Sequence, residues 1–127
     1  MKRSIVIIFV VLTLICFGWF FQNKMLESVY KDAFTALNDI SHLISSKQYS
    51  AAKSLFADYL SKWKKTESRL ALLVSHEEID DITRHNARLS ACLNEKEGIE
   101  GLATIGELHE IYKELNEKFK VNFKTVL

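Results

Sequence analysis

From Leu26 to Phe119 the apolar residues recur at alternating spacings of four and three, and the chain contains no proline to interrupt them. Leu26, Tyr30, Ala33, Leu37, Ile40 and Ile44 form one such stripe. Tyr49, Ala52, Phe56, Tyr59, Trp63, Thr66, Leu70 and Leu73 form a second. Ile79, Ile82, Asn86, Leu89 and Leu93 make a third, and Ile105, Leu108, Tyr112, Leu115 and Phe119 a fourth. An average step near 3.5 residues keeps each set on one face of an α-helix. A stripe of this kind has to be buried against another, so the pattern restricts the chain to helix-on-helix packing.

The punctuation between stripes predicts helices near residues 24–45, 48–73, 76–96 and 99–122. Ser45-Ser46-Lys47 separates the first pair. Ser75 is positioned to cap the third helix, with Glu78 three residues on completing a capping box. Glu77, Asp80 and Asp81 complement the positive end of that helix dipole. Gly98 is expected as a C-terminal stop. Short connections make neighbouring helices antiparallel, so the expected fold class is all-α: an antiparallel three- to four-helix bundle. A weak likeness of Lys47–Ala52 to a tetratricopeptide helix carries no further, because no repeat recurs at about 34 residues.

Ahead of the stripes, Ile5–Phe21 is an uncharged and almost wholly apolar run of seventeen residues, preceded by Lys2 and Arg3 and closed by Trp19, Phe20 and Phe21. At about 1.5 Å per residue it is roughly 26 Å long. With Ser4 and Gln22 at its edges, that approaches the roughly 30 Å thickness of a bilayer core. The expected organisation is a cytoplasmic N-terminus at residues 1–4, a transmembrane anchor helix at 5–22 and an extracytoplasmic bundle at 23–127. Lys2 and Arg3 set the orientation by the positive-inside rule. A cleaved signal peptide shares the basic start and the apolar run, but Cys16–Asn23 offers no A-x-A-like cleavage site. A lipoprotein would use Cys16, but Ile15 before it is larger than such sites usually carry. Gln22 and Asn23 are weak helix breakers, so anchor and first bundle helix are expected to form one rod from about residue 5 to 45, about 60 Å long.

Removing the anchor leaves about 104 residues, enough for one core. Of the chain's 17 basic residues Lys2 and Arg3 precede the run, leaving 15 against 16 acidic side chains. That near-balance argues against a nucleic-acid partner. Cys16 lies in the run and Cys92 stands alone, so no intradomain disulfide is available. Cys92 reads as a small buried hydrophobe, with an intermolecular disulfide as the alternative.

Candidate sites are few. Ser75–Asp81 is the densest cluster of ionisable groups, with Arg84, His85 and Arg88 just beyond. His76/Asp80 and Asp81/His85 have the i, i+4 spacing of paired ligands. A turn of about 100° per residue puts the two pairs on opposite flanks of the apolar stripe. The string is not H-E-x-x-H, and no Glu-x-x-His occurs, so neither a zinc protease nor a di-iron bundle is indicated. Trp63 lies in the second stripe beside Phe56 and Tyr59, where a core position competes with an aromatic groove for a partner helix or peptide. Lys62, Lys64, Lys65 and Arg69 surround it, as a solvated face whose stems cover the core or as a contact for anionic headgroups. Asn86 interrupts an apolar stripe, either as a buried register-setting residue or at an exposed edge. The candidate binding surface is therefore Trp63, His76, Glu77, Asp80 and Arg84. There is no Gly-rich phosphate loop and no nucleophile–base motif, so no catalytic residue, metal or cofactor is expected.

The order of these features resembles a known group. A basic start and a single anchor lead to Lys47-Gln48-Tyr49-Ser50-Ala51-Ala52, then a heptad helix to Trp63. His76-Glu77-Glu78-Ile79-Asp80, an Arg/Leu-rich helix and a final Glu/Leu helix follow. This is similar to the bacterial family called domain of unknown function 4363, small anchored proteins of spore-forming Firmicutes; Tyr49 stands where such proteins are expected to carry Trp. The resemblance implies a single-pass Gram-positive membrane protein and supplies no activity. The resulting expectation is a non-enzymatic accessory or interaction module at the outer face of the cytoplasmic membrane, docking a membrane or envelope protein or another copy of itself. The alternative is a ligand- or metal-sensing domain using the His76–Asp80 region.

Overall fold

The computed structural model describes residues 2–72 and 74–126. Four helices follow in order: α1, Lys2–Ser45; α2, Tyr49–Leu70; α3, His76–Asn94; and α4, Gly98–Val126. Helix α1 runs unbroken through Gln22 and Asn23, as the lack of Pro and of Gly after Gly18 allows. Its 44 residues make a rod of about 66 Å. Beyond residue 28 it packs against α2 and α4; α3 closes the ring between α2 and α4, and among the described residues no close backbone approach crosses either diagonal. The result is an up-down-up-down four-helix bundle on an apolar stem.

The stripes form the core. Leu37, Leu70, Leu89 and Leu108, one from each helix, are fully buried, and each contributes on the order of 1.5–3 kcal/mol by leaving water. Leu73 lies outside the described residues, as do the side chains of Leu26 and Phe119. Asn86 is buried rather than at an edge, and Cys92 is a buried free thiol that burial pushes above its ordinary pKa.

Two turns share one construction. Lys47 (φ 59°) and Lys96 (φ 55°) adopt left-handed backbone, at a cost of roughly 1–2 kcal/mol each for a residue bearing a Cβ. Gln48 N–H then donates to the Leu43 carbonyl (2.8 Å) and Glu97 N–H to the Cys92 carbonyl (2.9 Å), which satisfies carbonyls the helix end would leave bare. Lys96, not Gly98, therefore stops α3, and Gly98 opens α4. A Cβ at position 98 would sit 2.9 Å from the Tyr49 hydroxyl, so glycine is used there for close approach rather than for a left-handed stop. Ser75 is the N-cap residue of α3, with extended backbone, but its side chain makes no cap hydrogen bond. The capping-box partner Glu78 is turned away to accept from Lys118 Nζ at 3.0 Å. A tertiary ion pair stands in place of the local hydrogen bond.

Residues Lys2–Phe21 meet the length and apolarity needed to cross a membrane, a test that signal sequences near an N-terminus also meet. The bundle does not bury them: Ile5 is 67% exposed and Phe9 and Phe17 are each 71% exposed.

Candidate functional site

Small residues on α1 leave a groove along its seam with α2. Where α2 presents Tyr59 and Trp63, α1 presents the small residues Ala33, Thr35 and Ala36, and a cavity of about 350 Å³ remains between them. Buried Ala33, Tyr59, Trp63 and Tyr112 lie in its floor, while Asp32, Asp39, Asp58 and Lys62 stand exposed around it. The rim is thus net acidic over an aromatic base. An apolar floor with a few convergent polar groups is the usual build of a recognition groove.

Beneath it lies a polar cluster in the bundle centre. Tyr59 Oη donates to Asn86 Oδ1 at 2.9 Å and lies 2.7 Å from Tyr112 Oη. Since the Tyr59 proton is used on Asn86, Tyr112 donates to Tyr59. The Trp63 ring meets Tyr112 edge-on, with centroids 6.0 Å apart and planes at 86°, a favourable quadrupole arrangement. Trp63 Nε1 and Asn86 Nδ2 are buried donors that find no acceptor, an uncommon condition for buried N–H groups. Burial pushes the Tyr59 hydroxyl up to about 12 and Tyr112 well above the ordinary tyrosine value, the neighbouring Tyr59 adding to the latter. Both rings therefore stay neutral hydrogen-bonding groups at any physiological pH.

The residues singled out in the sequence do not form one surface. Trp63 is 5% exposed and belongs to the floor of the α1–α2 groove. Glu77, Asp80 and Arg84 lie together on the open flank of α3, and His76 is exposed at its first turn. Of the two i, i+4 pairs, only Asp81/His85 closes. His85 Nδ1 donates to the Asp81 carbonyl (2.7 Å), and Nε2 lies 2.8 Å from a Glu107 carboxylate oxygen on α4. Arg84 pairs with Asp81 at 3.0 Å, and Arg88 reaches Glu100 at 3.0 Å. The His85–Glu107 and Arg88–Glu100 contacts tie α3 to α4 across an exposed seam. Among the described residues no three His, Cys, Asp or Glu side chains are placed to hold a metal ion.

The groove rim had not been expected. Its signal was available: Asp32, Thr35 and Asp39 recur at helical spacing beside the apolar stripe of α1, and Asp58 and Lys62 do the same on α2. Their meeting depends on the α1–α2 register, which no periodicity reports.

No curated protein and no solved structure matches the sequence. A family model does match, that of Domain of unknown function (DUF4363), over residues 20–126, a stretch that takes in the whole bundle; the chain belongs to that family.

Proposed function

We propose that the protein is a single-pass, membrane-anchored interaction module, its bundle held at the outer face of the cytoplasmic membrane. The observation that carries this reading is the continuity of α1. One helix is apolar on all faces from Ile5 to Phe21 and becomes a bundle helix by Val29. A helix that is hydrophobic all round needs lipid or protein on every side, and the bundle supplies none. The end of the run fits an interface: Trp19 and Phe20 lie there, and Lys24 Nζ sits 4.9 Å from the Phe20 ring centroid. Lys2 and Arg3 set the N-terminus inside.

The bundle serves recognition rather than chemistry. Among the described residues its buried titratable groups, Tyr59, Tyr112 and Cys92, are all held neutral by burial, unlike the poised acids and bases of catalysis. The α1–α2 groove offers an aromatic floor and an acidic rim to a segment of a membrane or envelope protein, or of a second copy. Photo-crosslinking from position 62, at the rim, in intact cells tests this. A discrete adduct that disappears with Asp58→Lys supports the reading, and a monomer with no adduct refutes it. Thiol labelling of Ile99→Cys by an impermeant reagent tests topology: labelling of intact cells supports an outside bundle, and labelling only after lysis overturns it.

A further inference from the structure

We propose that the bundle carries a second membrane contact: the α2–α3 tip, formed by exposed Leu72 and by Lys64, Lys65 and Arg69 above it, seats on an anionic lipid surface. This rests on the anchored reading of α1 and adds to it what the lower end of the bundle touches.

The argument starts from register. Along the groove between these antiparallel helices Val29 is the first lining residue of α1 and Thr66 the last of α2, so those positions stand about level. Leu70, four residues further down α2, is then level with about position 25 of α1, and the run that ends at Phe21 is only about 6 Å below, at 1.5 Å per residue. The polar layer of a bilayer, taken as the difference between roughly 40–45 Å overall and 30 Å of hydrocarbon, is about 5–8 Å deep on each side. The α2–α3 turn therefore falls within headgroup depth.

What the chain places at and just above that depth suits it. By the same register Arg69 stands about 8 Å above Phe21, and Lys64 and Lys65 about 14–15 Å above it, within a Debye length of roughly 8–10 Å from the headgroup surface. Leu72 is 87% exposed, and Ala71 beside it is exposed too. The last turns of α2 carry Lys62, Lys64, Lys65 and Arg69 against a single carboxylate, Glu67. None of the four cations takes part in an ion pair among the described residues. Carboxylates at the same end are partly answered within the protein: Glu78 by Lys118, Asp81 by Arg84. Glu77 and Asp80 on the α3 side are in no ion pair among the described residues, so the α2 edge, rather than the α3 edge, meets the lipid. An apolar tip with unpaired cations above it is the arrangement that interfacial contacts use. At the far end, about 30 Å away by helix rise from position 25 to 45, Ile99 is equally exposed at 87%, but it stands clear of any bilayer. Exposure alone thus does not separate the two; position along the rod does.

The test uses the full chain in lipid nanodiscs. An environment-sensitive fluorophore is placed singly at Ile8→Cys, Leu72→Cys or Ile99→Cys in a Cys16→Ser, Cys92→Ala background, with spin-labelled lipid as quencher. Positions 8 and 72 are expected to shift to the blue and be quenched, and position 99 to do neither. The response at 72 grows when phosphatidylglycerol replaces part of the phosphatidylcholine. That gain is lost in Lys64→Gln/Lys65→Gln/Arg69→Gln, while the response at position 8 stays. Position 8 quenched with position 72 behaving like 99 overturns the tip contact and leaves the anchor standing. Position 8 unquenched overturns both. A response at 72 indifferent to phosphatidylglycerol and to the three substitutions overturns the anionic surface.

Discussion

Tyr59→Phe removes one oxygen from the centre of the bundle and leaves its shape almost unchanged, so it isolates the polar cluster from the packing around it. The hydroxyl donates to Asn86 Oδ1 at 2.9 Å and accepts from Tyr112 Oη at 2.7 Å. Without it, Asn86 has no partner at either end of its amide, because Nδ2 already has none. Tyr112 is buried as well and loses its acceptor. A buried group stripped of its partner costs about 1–3 kcal/mol. Two such groups, with some relief from rotation of the Tyr112 hydroxyl, set the expected loss at about 2–4 kcal/mol. That is a large fraction of the roughly 5–15 kcal/mol that holds a domain together. Urea unfolding of the full chain in detergent, followed by helical circular dichroism, reads it as a lower midpoint with an unchanged slope. The companion variant Tyr59→Phe/Asn86→Leu replaces both partners by apolar groups and should recover part of the loss. A single-variant loss below about 0.5 kcal/mol, inside the range of neutral surface changes, would refute the view that this cluster is sealed from water.

Three further outcomes are expected. Trp63→Ala should cost about 3–5 kcal/mol by the same measurement, because the ring is buried in the floor of the groove; a loss under about 1 kcal/mol would mean that the ring is instead presented to solvent. Gly106→Ala should stabilise by about 0.5–1 kcal/mol, since an added Cβ on α4 meets nothing within 4 Å and glycine is the poorer helix former; a lower urea midpoint would contradict this. Burial holds His109 below its ordinary 6.5, so the unfolded chain takes up the proton first as the solution is acidified. Its contribution is present above pH 6.5 and lost as the pH falls through the folded value. Unfolding midpoints measured on either side of pH 6.5 should therefore converge in His109→Gln and remain apart in the native chain.

The sequence by itself determined the class of fold and the path of the chain. Stripes at alternating fours and threes, with no proline, require amphipathic helices to pack on one another in a three- to four-helix bundle, and Ser45–Lys47 and Val74–Ser75 are too short to do more than reverse direction. The run from Ile5 to Phe21 was equally legible, because apolarity on every face of a helix needs no tertiary information to be seen. Even the unbroken α1 followed from the absence of a breaker at Gln22 and Asn23. Tertiary structure decided whatever depends on which residues of different helices stand level. Periodicity gives each helix its buried face but not its axial offset. The meeting of Tyr59, Asn86 and Tyr112, 27 and 53 positions apart, is such an offset made visible. So is the groove that opens where Ala33 and Ala36 face Tyr59 and Trp63. The same reason governs Glu78: its spacing from Ser75 suits a capping box, yet Lys118 on another helix lies within reach and offers a full charge.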